Sequence, residues 1–431
     1  MLNSPLLLHL KEWLCYNALN PVPTGNPFFC RAECNTRTTH NFESSAPNES
    51  RAAQVAPLVT CADDAIGMGE NAELIVPAVT PAALFTCPAA LRILGLAGLL
   101  ALPPCADAGR AYVSNEDGQT VTVIDTDKAE AIATVAVGKR PRGLKLSKDG
   151  SQLYVAVSGL PKCPPNIPDA ECAKFERDLG ADGIAVIDTA SLKMLKVLKA
   201  GSDPEQFDLS TDGRLLFVAN EDAAQTSVID VGSGSIQARI PVGKEPEGVS
   251  VSPNGRWVLV TNESDNAVSV IDARTFKVVR SVVVGHRPRD AAFTPDGRMA
   301  YVSGESDASL YRMSVPDGAP VERLLELRKE ARPMAVVLDP ARGRLYLSTG
   351  RGGTVAVVAL AGPKLVTEIP VGTRPWGMAL STDGKRLYTA NGPSNDVSVI
   401  DTTTLQVIKK IPVGRSPWGV ALGPAPPAGG G

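Results

Sequence analysis

Histidine is nearly missing from this chain, with 3 in 431 residues. Only His286 lies beyond residue 108, so a centre built from several imidazoles (copper, zinc or haem) is excluded from that part of the chain. Aromatic residues make up 5%. There is no long run of one charge, and the net charge is -3. A nucleic-acid partner, which calls for a basic face with stacking rings, is therefore not expected. No C-x-x-C-H, P-loop, G-x-G-x-x-G or G-x-S-x-G motif occurs, so no catalytic signature stands out. Gly350-Arg351-Gly352-Gly353 is glycine-rich but reads as a hairpin loop rather than a phosphate cradle.

A repeat fills the space that motifs leave empty. Val-Ile-Asp recurs at residues 123–125, 186–188, 228–230, 270–272 and 399–401, and Asp188, Asp230 and Asp272 are evenly spaced. Arg312-Met313-Ser314 and Val357-Val358-Ala359 occupy the same phase without the Asp. One unit holds four short β-branched runs separated by turns such as Ser252-Pro253-Asn254-Gly255. Pro presets φ and Gly tolerates φ > 0, so these are hairpin turns. A period of about 40–45 residues with four strands per unit predicts an all-β, seven-bladed β-propeller of four-stranded antiparallel blades. The first unit opens at a second strand (Arg110 to Asn115) and the last ends on a first strand (Gly419 to Leu422). A composite N-/C-terminal blade is expected to close the ring.

The propeller is assigned to residues 109–423, with a flexible tail at 424–431. Upstream, Arg92, an apolar run from Ile93 to Leu102 and Ala106-Asp107-Ala108 read as a signal peptide over 89–108, cleaved near Ala108. Residues 1–88 are expected to be a non-native or disordered extension, with translation starting near Met68 or later. The chain is thus expected to be periplasmic, monomeric and free of the membrane after cleavage. Two cysteines remain in the propeller, Cys163 and Cys172, and an even pair in an exported protein predicts a disulfide. Both lie in a blade-two insertion at 160–182, which reads as a stapled lid or docking loop; the plain alternative is a tolerated surface loop.

The repeats differ most after the Pro of each Pro-x-Gly. Those positions, expected at one mouth of the central channel, are Arg142, Glu205, Glu247, Arg289, Met334, Trp376 and Trp418. The residues before the Pro include Arg140, Asp203, Glu245, Arg287, Arg332 and Arg374. A charged wall facing an aromatic wall suits an amphipathic or aromatic anion, with arginines on carboxylates and Trp rings stacking. The alternative is that Arg and Glu pair across blades and the rings cap the channel. Glu116, Glu221, Glu263 and Glu305 recur in loops after second strands, as an acidic rim or as partners for arginine. The Asp of Val-Ile-Asp reads as a turn former. No metal site and no covalently bound cofactor are expected.

The unit resembles the YVTN-type propeller repeat, in Tyr112-Val113-Ser114-Asn115, Phe217-Val218-Ala219-Asn220, Leu259-Val260-Thr261-Asn262 and Tyr388-Thr389-Ala390-Asn391. More narrowly, the opening at Ala111 and the cysteine-bearing insertion resemble propeller proteins associated with pyrroloquinoline quinone (PQQ)-dependent alcohol catabolism. That resemblance implies a non-catalytic ligand- or partner-binding role in that pathway or its transport. Its implied partners are a quinoprotein dehydrogenase, a cytochrome or a periplasmic transport component, and it carries PQQ only as a pathway cofactor. The rival readings are a propeller enzyme, such as a lactonase or dehydrogenase subunit, and a structural or cell-surface scaffold.

Overall fold

The computed structural model describes residues 109–163, 167, 169–172 and 174–424. The expected extension, signal peptide and tail beyond 424 lie outside the described residues. Among the described residues twenty-eight strands form seven antiparallel sheets of four. Blade 1 is composite: Pro417–Gly423 pairs with Arg110–Asn115, which continues to Thr120–Asp125 and Glu130–Ala136. The seven inner strands run down the channel, beginning at Leu144, Pro204, Pro246, Pro288, Pro333, Pro375 and Pro417. Among the described residues no helix is long and apolar enough to cross a membrane.

The sequence dictates this packing locally. The third residue of each second strand is large and buried: Tyr112, Tyr154, Phe217, Leu259, Tyr301, Tyr346 and Tyr388. Each apolar cluster spans two adjacent blades. Tyr112 packs with Leu153 and Ile187 of blade 2, and Tyr388 packs with Ala111, Ile124 and Val420 of blade 1. Apolar burial at about 25 cal/mol per Å² therefore acts between sheets, which forces a ring.

The motif residues are explained by their bonds. Asn115, Asn220, Asn262 and Asn391 end second strands and donate to Thr122, Ser227, Ser269 and Ser398 on the third strands at 2.9–3.0 Å. The Asn262 carbonyl also accepts from the Gly243 amide at 3.1 Å. The Asp of Val-Ile-Asp is a turn former as expected. Asp125 accepts from Lys128 N at 2.9 Å, Asp230 from Ser233 N at 2.8 Å and Asp401 from Thr404 N at 2.8 Å.

The Pro-x-Gly segment interrupts the ladder in a way that matters for function. Pro246 pairs with Asn262 and Val249 with Val260, so Glu247 and Gly248 face the single residue Thr261. The same slip follows Pro204, Pro288, Pro333 and Pro375. A two-against-one bulge turns side chains out of the regular alternation. The residue before each Pro has positive φ in all seven blades, from Arg140 at 42° to Arg287 at 54°. Such non-Gly conformations cost about 1 kcal/mol or more each and persist only where packing overdetermines them. A hydroxyl on the second strand supplies part of that hold. Ser114, Thr261, Ser303 and Ser348 donate to the carbonyls of Arg142, Arg289, Met334 and Trp376 on the next blade, at 2.6–3.0 Å.

Asn262→Ala removes two hydrogen bonds, one of them buried, and should cost about 1–3 kcal/mol in denaturant unfolding. Truncation before Pro417 leaves Arg110–Asn115 as an open sheet edge; aggregation or loss of a single cooperative transition is the expected outcome in calorimetry.

Candidate functional site at the channel mouth

The bulged residues and the loops after the second strands meet on one rim, and their charges divide it into two regions. The first centres on Arg142, which is 2% exposed. Its guanidinium contacts Asp203 and Glu205 closely and lies 3.4 Å from Glu221, with the Pro204 carbonyl at 3.2 Å. Three carboxylates thus share one cation. Arg142 remains charged: burial opposes it, but Glu205, Asp203 and Glu221 more than compensate. The carboxylates cannot all ionise at ordinary pH. Burial pushes Glu205 well above its usual range, and the excess of nearby acids adds to this against the pull of Arg142. Burial, then Glu247 and Asp203, hold Glu221 up at about 8. Asp203 stays below its normal value because Arg142 and the Ser158 hydroxyl outweigh its burial.

The second region is cationic. Arg289 pairs with Glu247 at 2.8 Å and with Glu263, while Arg287 binds Glu263 and approaches Glu305 at 3.6 Å. Beyond them, Arg332, Arg351 and Arg374 have no salt bridge among the described residues. All five arginines line one cavity of about 400 Å³ with Glu305, Met334 and Trp376. Burial lowers the Arg374 pKa, and Arg351 and Arg289 lower it further. The fold thus holds like charges together at a net cost.

Trp376 and Trp418 pack at 5.7 Å with a 38° tilt. Trp376 also carries Arg374 at 5.1 Å and Arg289 at 5.8 Å from its ring centre. Its π surface is engaged by guanidinium groups, and cation–π contact orients them toward the cavity. Trp418 is buried.

The insertion docks on the same rim. A disulfide joins Cys163 and Cys172, as expected, with Cα atoms 5.5 Å apart. Lys162 bonds Glu116 at 2.8 Å and Asp117 at 3.3 Å. Arg140 binds Glu116 at 3.1 Å and the Leu160 carbonyl at 2.8 Å. Burial disfavours the Glu116 carboxylate, but Arg140 and Lys162 overcome it and hold its pKa low. Arg140 is thereby neutralised and withdrawn from the cationic wall. His286 is exposed.

The structure therefore brings Arg142, Glu205 and Glu221 together, and groups Arg287, Arg289, Arg332, Arg374, Met334 and Trp376 around one cavity. Arg351 escaped sequence reasoning because its glycine-rich hairpin lacks the Pro-x-Gly signal. It lies two residues past the second strand Arg344–Thr349, in phase with Ser306 of the same cavity, and that rim position was the available clue.

These features define a seven-bladed propeller with a charged channel mouth. The family model for the seven-bladed β-propeller lactonases matches residues 104–239 and 272–414, so the chain belongs to that family. A second model, for the cytochrome d1 haem domain, matches residues 175–317. A curated relative is Antigen Lp49 of Leptospira interrogans, 30% identical over 111 residues. That match spans 26% of this chain and 23% of the relative. Among solved structures, Kuenenia stuttgartiensis hydrazine synthase aligns with a TM-score of 0.58 at 24% identity, covering 68% of this chain and 92% of that one. A putative 6-phosphogluconolactonase from Bacteroides uniformis aligns at 0.60 and 18% identity, covering 74% and 100%. A putative 6-phosphogluconolactonase from Bacteroides fragilis matches equally well, covering 74% and 99%. At these identities the likeness is one of fold.

Arg142→Ala strands buried carboxylates and should destabilise the ring by about 3–5 kcal/mol near neutral pH. Glu221 adds a pH dependence of known sign. Its folded pKa of about 8 exceeds the ordinary value near 4.5, so the stability it contributes is complete below the ordinary value and fades as pH rises through 8. Thermal melts should show a fall in Tm between about pH 4.5 and pH 8 that levels off above and is reduced in Glu221→Gln.

Proposed function

We propose that the channel mouth binds a small organic polyanion, held by Arg332, Arg351 and Arg374 in the cavity beside Trp376. The observation that carries this reading is the meeting of three salt-bridge-free guanidiniums, among the described residues, in one cavity of about 400 Å³. Crowding cations costs free energy that a bound anion returns. Each charge-assisted hydrogen bond contributes about 1.5–3 kcal/mol. Because Trp376 already carries Arg374 and Arg289, recognition depends first on the ligand's charges and only secondarily on a flat ring.

PQQ, a flat tricarboxylate, belongs to this ligand class. A place in PQQ-linked alcohol catabolism or its transport, beside a quinoprotein dehydrogenase or cytochrome, is supported by the resemblance of the repeats and the cysteine-bearing insertion. The disulfide fits an exported, periplasmic protein.

A second reading, hydrolysis of a cyclic ester of such an anion, is favoured by two observations. The chain belongs to the propeller lactonase family. The mouth also holds an acid, Glu221, raised to about 8 beside Arg142.

Isothermal calorimetry with PQQ, citrate and a neutral sugar tests the binding reading. The two polycarboxylates should bind with an affinity that falls as salt rises, and the sugar should not. Arg332→Ala with Arg374→Ala should weaken binding by about 100-fold, the loss of roughly two charge-assisted contacts. Unchanged affinity in that variant would sink the assignment.

A further inference from the structure

We infer that Asp203 and Glu221 form a proton-sharing carboxyl pair that serves the channel mouth as its general acid–base group. This rests on the ester-hydrolysis reading, for which it supplies the reacting residue. The geometry begins with the backbone. Asp203 precedes Pro204 with φ of 53°, and its side chain is fully buried. One carboxylate oxygen receives Arg142 and the Ser158 hydroxyl. The other, Oδ2, is buried and has no donor among the described residues. Glu221 is held against it: the Glu221 amide donates to the Asp203 carbonyl at 3.1 Å, both carboxylates reach the Arg142 guanidinium, and the two side chains interact. Two ionised carboxylates have only acceptors, so the contact is satisfied only when one of them carries a proton. The same pattern of two carboxyls and one proton underlies acid–base dyads in enzymes.

The surroundings set which member acts. Facing the pair are Arg142, Arg140, Glu205 and Glu247, and Arg289 also interacts with Glu221. Asp203 is sealed beneath Arg142. Glu221 begins the 3-10 turn after Leu215–Asn220, and its side chain is 28% exposed. It is the member that can touch a substrate. Arg289 lines the cationic cavity and contacts Glu247, and both act on Glu221, so the pair lies behind the wall of that cavity rather than in its lining.

For a carboxylated cyclic ester the step balances without a co-reactant. Water adds through its oxygen to the acyl carbon, and Glu221 accepts the water proton while the shared proton moves to Asp203. The bond from the acyl carbon to the ring oxygen breaks. Glu221 returns its proton to that oxygen, and the shared proton returns to its original position. One water is consumed, and one carboxylic acid and one alcohol are formed. Arg142 is the positioning residue, holding both carboxyls at fixed angles.

Two measurements on the exported protein test this. Infrared difference spectra across about pH 6.5 to 9.5 should show a protonated carboxyl band that disappears with a midpoint near 8 and is absent from Glu221→Gln. No such band, or the same band in the variant, overturns the pair. The rate of ring opening is then followed for carboxylated γ- and δ-lactones, including the γ-lactone of isocitrate. Glu221→Gln should slow it by about 10²–10⁴-fold while the dissociation constant of the lactone moves less than about threefold. Equal rates in both proteins, or no hydrolysis by the wild type, overturn the catalytic assignment. If the lactones still bind in that case, the polyanion site stands; if no anion binds while the infrared band is present, it is the polyanion site that fails.

Discussion

Every part of this structure depends on the burial of each sheet between its two neighbours. A single four-stranded blade has two apolar faces and no means of covering them. The clusters around Tyr112, Tyr154, Phe217, Tyr301, Tyr346 and Tyr388 all bridge adjacent blades, and the last bridges back to the first. Closure through Pro417–Gly423 on Arg110–Asn115 makes the packing continuous. Only a closed ring can hold seven residues at positive φ before proline, because each conformation is unfavourable by itself.

That rigidity is what lets the mouth carry unfavourable charge. Bulges turn the residue after each Pro out of the ladder, and hydroxyls from the preceding blade fix several of their carbonyls. Side chains at these positions cannot relax away from one another. Three carboxylates surround one guanidinium at Arg142, while Arg332, Arg351 and Arg374 crowd near Arg289. In a flexible loop such groups would separate into water. Here the strain stays at the rim, where a ligand or a proton relieves it.

The insertion adds asymmetry to a ring that is otherwise close to seven-fold. Its disulfide and the bonds from Lys162 and Arg140 fix it over Glu116. The Arg–Glu pairing foreseen as an alternative thus holds for Arg140, Arg142, Arg287 and Arg289. It does not extend to Arg332 and Arg374. The loop glutamates foreseen as an acidic rim or as partners are partners in this structure: Glu116, Glu221, Glu263 and Glu305 each lie against an arginine.

The repeat by itself determined the blade number, the strand order within each blade, the composite closure and the turn-forming role of the Val-Ile-Asp carboxylates. These follow from local spacing and from residues that make the same bonds in every unit. It also marked Arg142, Glu205, Arg289, Met334 and Trp376 as rim residues, because their identities vary where the framework does not. Only the tertiary structure decided which charges are neutralised. It showed that Trp376 is covered by guanidinium groups, that Arg351 joins a cavity from an unremarkable hairpin, and that Asp203 meets Glu221. Charge balance depends on distances between residues far apart in sequence, many from different blades, and no local pattern in the chain encodes those distances.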